Sequence, residues 1–360
     1  MKRLGVCFAD EYKNLRQDGF ERPKQNNYIV FFSFSDIIKL LNKIISGDFM
    51  NKNLIDYLLI SELSKDYLPR MPIGDIFHYT SSNTLKNILF EHKQVVLHAS
   101  RYELLNDTME GIYILEVYKE ACEELFEDRK ISKNFLDVLL KARLSNKTLF
   151  PFTDSHTNVS TIEECDHYVV CFSTEDDHLP MWNYYSKGSF YEAVNIGFYP
   201  NDVFEYLTEV FADKHINVHM SPIIYKKEDQ KNLIKKTVLE ISEYYQGFDD
   251  TEFIGILSNR LFKWKLLFKS EKFEHENEVR IIVDVAKNKN DINVKYRTYK
   301  GYIIPYIELE MPKSSVATVK LGPLFLDEKG REEQIQILKQ MLRQEGYDAY
   351  ADASQIKIRY

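Results

Sequence analysis

Glu274, Glu276, Glu278 and Arg280 stand in the run FEHENEVR, which leads into the apolar stretch Val279 to Val285. Strand alternation puts Glu276, Glu278 and Arg280 on one side. Three charges in line at the mouth of an apolar sheet are costly to bury unless they are paired or used. A Glu–Arg pair aimed at a polar ligand is one reading; a solvated edge strand is the other. His78, in IFHYTS, ends a short strand just before a helix. A rigidly held side chain there, beside a helix N-terminus, suits an anion or a ribose hydroxyl. A His satisfied by a backbone carbonyl is the plain alternative.

Asn106, Asp107 and Glu110 belong to NDTME at the start of a long helix. The i, i+3 spacing sets both carboxylates on one face, where they could share a metal or a substrate hydroxyl. Asp107 as N-cap with Glu110 at N3 also resembles a capping box. Trp182, Tyr184 and Tyr185 lie in LPMWNYYS. Trp182 and Tyr185 are i, i+3 neighbours able to wall a pocket for a flat ring or to pack a helix on a sheet. VKLGPLF, with Lys320, and the final IKIRY, with Arg359, read as structural.

The chain that must position these residues has 360 residues, 44% apolar and 28% charged. That composition excludes intrinsic disorder and supplies a large core. A net charge of −8 gives no overall basic field for nucleic acid, although a local basic groove remains possible. No apolar run reaches the roughly 18 residues needed to span a bilayer, so no membrane association is expected. MKRLGVCFADEYKN turns polar before a signal-type core can form. Cysteines at 7, 122, 165 and 171 show no pairing pattern and no metal-ligand spacing, so a reduced cytoplasmic protein is expected.

Residues 1–70 read as a helical N-terminal element. Ile37, Ile38, Leu41, Ile44 and Ile45 form one stripe, Leu54 to Leu68 a second segment, and Pro69, Pro72 and Gly74 a boundary. From 71 to 360 an α+β effector domain is expected, with helical insertions near 107–145 and 227–270. Its long helix from 107 to about 129 carries Ile112, Leu115, Tyr118, Cys122 and Leu125 at spacings of three and four. Residues 145–163 read as a polar loop. Strands are expected over Ile76 to Tyr79, Gln94 to Ala99, Tyr168 to Ser173, Ala193 to Tyr199, Val279 to Val285, Tyr302 to Glu310, Val316 to Leu321 and Ile356 to Tyr360. Without a regular βαβ alternation, mixed and mostly antiparallel sheets are the expectation.

HYTS before a helix, NDxxE, CFS, MWxxY, ExExR, a strand ending LGP and a terminal strand with Arg359 keep their order over about residues 74–360. Together they resemble an uncharacterised bacterial family of the domain-of-unknown-function type. Its members look like effectors encoded near phage-defence and mobile elements, which implies a toxin-like role in antiviral defence. A strand bearing His-Tyr, followed at once by L-x-x-I-L, also resembles the opening of ADP-ribosyltransferase-like domains. That resemblance implies NAD as substrate. His78, with Tyr79 and Thr80, would meet the ribose; Trp182 or Tyr185 would stack on nicotinamide; Glu278 or Glu276, with Arg280 nearby, would promote glycosidic cleavage. The Ser-x-Ser middle strand of such domains has no clear counterpart here. No metal is expected in this chemistry.

The acceptor would be protein, nucleic acid or water, with Asn106, Asp107 and Glu110 as substrate contacts. Two other readings compete. One is a metal-dependent nuclease effector using His78, Asp107, Glu110 and Glu278. The other is a non-catalytic sensor or binding module that docks a defence-system partner through residues 1–70.

Overall fold

The computed structural model describes residues 72–105, 110–144, 147–150, 161–185, 193–212, 214, 216–244, 250–287, 292–299, 301–323 and 328–356. The expected N-terminal helices, Asn106, Asp107 and Arg359 lie outside the described residues. The strands are β1 (Ile76–Ser81), β2 (Val95–Arg101), β3 (Lys147–Phe150), β4 (Thr161–Ser173), β5 (Ala193–Phe198), β6 (Ile216–Pro222), β7 (Glu278–Ala286), β8 (Lys295–Tyr299), β9 (Tyr302–Met311), β10 (Val316–Leu321) and β11 (Tyr350–Ala353). The helices are α1 (Ser82–Leu89), α2 (Glu110–Glu127), α3 (Lys133–Leu139), α4 (Leu179–Tyr185), α5 (Pro200–Phe211), α6 (Lys227–Tyr244), α7 (Asp250–Leu267) and α8 (Glu328–Gln344).

The fold is α+β, built on a mixed, mostly antiparallel open sheet. The strand order is β11-β10-β5-β1-β4-β2-β9-β8; β3 and β7 also pair with β4, and β6 pairs with β7. Among the described strand pairs, β10–β11 alone is parallel. Strand β4 is the hub. Along Cys165 to Ser173 it is flanked by β7, and its other edge meets β2 and then β1. A strand covered on both faces needs apolar residues at successive positions. Tyr168, Val169 and Val170 are all buried.

Alternation sends those neighbours into two different cores. Tyr168, Val170 and Phe172 join Leu85 and Leu89 of α1, Val203 and Leu207 of α5, and Leu338 and Leu342 of α8. Val169 joins Ile114 and Ala121 of α2, Phe135 of α3, Ile234 of α6, and Phe253 and Leu261 of α7. The sheet is therefore a middle layer between two sets of helices.

Several local expectations shift. Strand β1 extends two residues past the expected Tyr79 and runs directly into α1, and the Ser81 hydroxyl accepts from the Thr84 amide as N-cap. On α2 the buried stripe is Ile114, Val117, Tyr118, Ala121, Cys122 and Leu125, while Leu115 is exposed. The region expected as a loop from 145 to 163 contains β3 and the first residues of β4. The last described strand is Tyr350–Ala353, earlier than the Ile356 to Tyr360 expected.

Gly197 is required by a close approach. A Cβ built there would sit 2.3 Å from the Thr318 hydroxyl and 3.0 Å from the Phe77 ring. β5 lies between β1 and β10, and this vacancy lets Phe77 lie over it.

Candidate functional site

The site is built around one cross-strand row. Phe77 of β1 faces Ser173 of β4, and Ser173 faces Glu278, the first residue of β7. Two residues along, Cys171 faces Arg280. Period-two alternation puts Ser173, Cys171, Glu278 and Arg280 on one face of the sheet.

Glu278 and Arg280 form a buried pair. Arg280 donates from Nε to Glu278 Oε1 at 2.7 Å and from Nη2 to Oε2 at 3.1 Å. Its Nη1 donates to the Leu266 carbonyl at the end of α7, and the guanidinium lies 5.8 Å from the centre of the Tyr102 ring. The Glu278 amide donates to the Tyr225 hydroxyl. Lys269 completes the group, donating from Nζ to Glu276 at 2.6 Å and to Glu278 at 3.4 Å. Burial alone would push the Glu278 carboxyl up, but Arg280 and Lys269 outweigh it and hold the group down at about 2. Burial likewise opposes the charge of Lys269, and Glu278 and Glu276 overcome that opposition and raise it. Glu278 is thus a permanent carboxylate at neutral pH.

Glu276 reaches the group by a route that alternation does not describe. Residues Glu271–Glu276 form a 3-10 turn, and Asn277 takes φ 44° before the strand begins. Glu276 is therefore not in line with Glu278 and Arg280 on a strand. It comes from the preceding turn, less buried than Glu278, and is tied to it through Lys269.

The aromatic wall comes from β1 and α4. Tyr79 stacks on Tyr185 with ring centres 6.3 Å apart and meets Trp182 edge-on at 4.7 Å. Its hydroxyl donates to the Glu175 carbonyl and accepts from the His178 amide. Burial raises the Tyr185 hydroxyl well above its ordinary range, with further contributions from Cys171, Glu278 and Glu276, so this ring lies within electrostatic reach of the carboxylates. Tyr185 still keeps 37% of its surface open. Trp182 is fully buried, and its indole N–H donates to Asp177 at 2.7 Å, so it anchors α4 and offers no ligand a face. Cys171 shares this face opposite Arg280; burial and the Glu278 charge push its thiol well up.

His78 is not brought to this group. It is adjacent to Tyr79 on β1 and so points to the other face, with Thr80 following it there. Its ring meets Phe172 edge-on at 5.7 Å, and Phe172 belongs to the core of the opposite layer with Ile76 and Phe198. Its Nδ1–H donates to the Cys171 carbonyl at 3.0 Å. Burial lowers this His, and the carbonyl hydrogen bond recovers only part of the shift. The ribose contact expected for His78 therefore does not share a face with Glu278. Of NDTME, Glu110 opens α2, while Asn106 and Asp107 are outside the described residues.

A second charged group lies farther along the same face of β7. Fully buried Asp284 accepts from His167 Nδ1 at 2.6 Å, from His219 Nε2 at 3.1 Å, and from Lys263 of α7. Burial opposes its charge, but Lys263 and His167 overcome it and hold the carboxyl well below the usual range. Asp284 was legible as the one acid inside the apolar run of β7. Its three partners come from β4, β6 and α7, and no short-range spacing links them. Among the described residues no group of three or more His, Cys, Asp or Glu is arranged to hold a metal ion. No helix among them is long and apolar enough to cross a membrane.

No curated protein and no solved structure matches the chain. Residues 181–281, which carry Trp182, Tyr185, Lys269, Glu276, Glu278 and Arg280, match the family model described as Protein of unknown function (DUF2971), a match consistent with an uncharacterised domain family.

Proposed function

We propose that the protein cleaves the nicotinamide–ribose bond of NAD, passing the ADP-ribosyl group to an acceptor or to water, as a toxin-like effector. The observation that carries this reading is a buried carboxylate, Glu278, held ionised by Arg280 and Lys269 on the sheet face where Tyr79 stacks on partly exposed Tyr185. In that cleavage the C1′–N1 bond breaks, the bonding pair leaves with neutral nicotinamide, and positive charge builds on the ribose. A fixed carboxylate stabilises that charge without giving up or taking a proton. Tyr185, backed by Tyr79, orients the leaving ring by stacking. Glu276, more exposed than Glu278, takes the proton from the attacking water or acceptor hydroxyl as the new bond to C1′ forms.

Arg280 and Lys269 act as positioning residues. They keep Glu278 ionised in a place where an unpaired carboxylate would otherwise take up a proton. The nuclease reading needs His78 and Glu278 at one ion, and the two side chains point to opposite faces of the sheet.

Calorimetric titration of NAD into the wild type and into Tyr185→Phe and Tyr185→Ala tests the wall. The account expects the Phe variant to bind like the wild type and the Ala variant to bind roughly ten-fold more weakly. Equal binding by all three overturns the assignment of Tyr185.

A further inference from the structure

From Ile292 to Ile307 the sequence carries Lys295, Arg297 and Lys300 interleaved with Tyr296, Tyr299, Tyr302 and Tyr306, and it contains no acidic residue. In a chain of net charge −8 this is a local reversal of sign. The segment forms the β8–β9 hairpin at one end of the sheet, far along the strand order from β1 and β7. Gly301, at φ +84°, makes the tight turn, so Tyr299 and Tyr302 stand directly opposite each other.

Alternation sorts the side chains by face. Ile307 and Leu309 point into the core with Leu97, while Tyr306 and Arg297 point the other way, as do His98 and Ser100 of β2. On that face His98 stacks on Tyr306 with ring centres 4.2 Å apart and planes inclined by 30°. The Arg297 guanidinium lies 5.7 Å from the centre of the Tyr306 ring and donates to the Ser100 hydroxyl at 2.7 Å, which fixes its plane. Tyr302, on the same face, exposes 68% of its surface, while Tyr296 points to the other face. Lys295, paired with Glu308, stands at the rim.

We infer that this hairpin platform binds single-stranded nucleic acid. Flat rings and a fixed guanidinium on an open sheet face give unpaired bases surfaces to stack on, and interleaved cations meet the phosphates. A duplex hides its base faces and would be left with the cations alone. The charge on this face argues against an apolar protein partner, which would have to bury the Arg297 guanidinium and the Lys295–Glu308 pair where a dry contact is needed.

The test is fluorescence anisotropy of a labelled single strand of about 16 nucleotides, with the matching duplex as comparison and no NAD present. Full-length wild type, Tyr302→Ala, Arg297→Ala and Tyr350→Ala are compared; Tyr350 is an exposed tyrosine on β11 at the opposite edge of the sheet. The platform predicts tighter binding of the single strand than of the duplex, falling as salt rises from about 50 to 200 mM. It predicts losses of roughly ten-fold for Tyr302→Ala and Arg297→Ala, with Tyr350→Ala unchanged. All substituted side chains are exposed, so the variants keep the fold. No binding of the single strand, equal binding of the duplex, or equal losses from Tyr350→Ala would each overturn the inference. Because turnover is not measured, its failure is separate from any failure of the NAD reading.

Discussion

Arg280 grips Glu278 through two parallel hydrogen bonds from only two positions along the same strand, and both side chains are buried. Fork geometry of this kind is the strongest form of carboxylate recognition available to a side chain. It couples the electrostatics of the site to the stability of the sheet, because neither charge is tolerable there without the other.

Removing Arg280 alone should therefore be worse than removing the pair. Arg280→Met is expected to cost about 3–5 kcal/mol, since it leaves Glu278 with Lys269 as its remaining cation. Glu278→Gln combined with Arg280→Met should recover a large part of that loss. Urea unfolding of the two single variants and the double variant measures the coupling. Simple additivity would mean the pair is not the unit described.

Stability should fall as the medium becomes acidic, in two windows. His78 is held below its ordinary 6.5 by burial, and His98 by burial and by Arg297, so the unfolded chain binds more protons than the folded one once the pH drops through about 6.5. Glu278, at about 2 against an ordinary 4.5, and Asp284, well below 3.8, act in the same direction. Their contribution is complete above about pH 4.5 and is lost as the pH falls toward 2. Urea midpoints measured from pH 7.5 to 3.5 should decline gently below 6.5 and steeply below 4.5. A midpoint constant down to pH 4 would contradict these assignments.

His78→Ala is expected to loosen the fold and spare the chemistry. The ring packs on Phe172 and satisfies the Cys171 carbonyl on the layer away from Glu278. Thermal unfolding should shift down, while the rate of NAD cleavage at a temperature where the variant is folded stays within a few-fold of the wild type. Abolished cleavage in a folded variant would put His78 back among the groups that touch substrate.

The architecture was largely legible because its signals are local. The apolar runs of β4 and β7 and the three-and-four spacing of Tyr118, Cys122 and Leu125 along α2 each need only neighbours in sequence. Strand β8 gives little signal because it is an exposed edge of Lys, Arg, Thr and Tyr with no clean apolar face. Strand β6 does alternate, with Ile216, Val218 and Met220 on the core and Asn217, His219 and Ser221 toward the polar stripe around Asp284, but with only three apolar positions the run is too short to stand out. For the candidate site, the charged run at 276–280 and the aromatics at 182–185 could be singled out from their neighbours in sequence. The division of roles depends on face, which a one-residue offset inverts. Tyr79 takes the side that His78 was expected to occupy, and Lys269, which comes from the end of α7, has no short motif to announce it.

The most direct test of the central claim is nicotinamide release from NAD by purified protein, with and without cell lysate, set against Glu278→Gln. The Gln variant keeps the shape and most of the hydrogen bonding of the carboxylate and removes its charge. The account predicts release by the wild type and a loss of at least about a hundred-fold in the folded variant, the scale expected when a fixed charge at a developing cation is removed. Release at the same rate from both proteins, or from neither even with lysate, would contradict it.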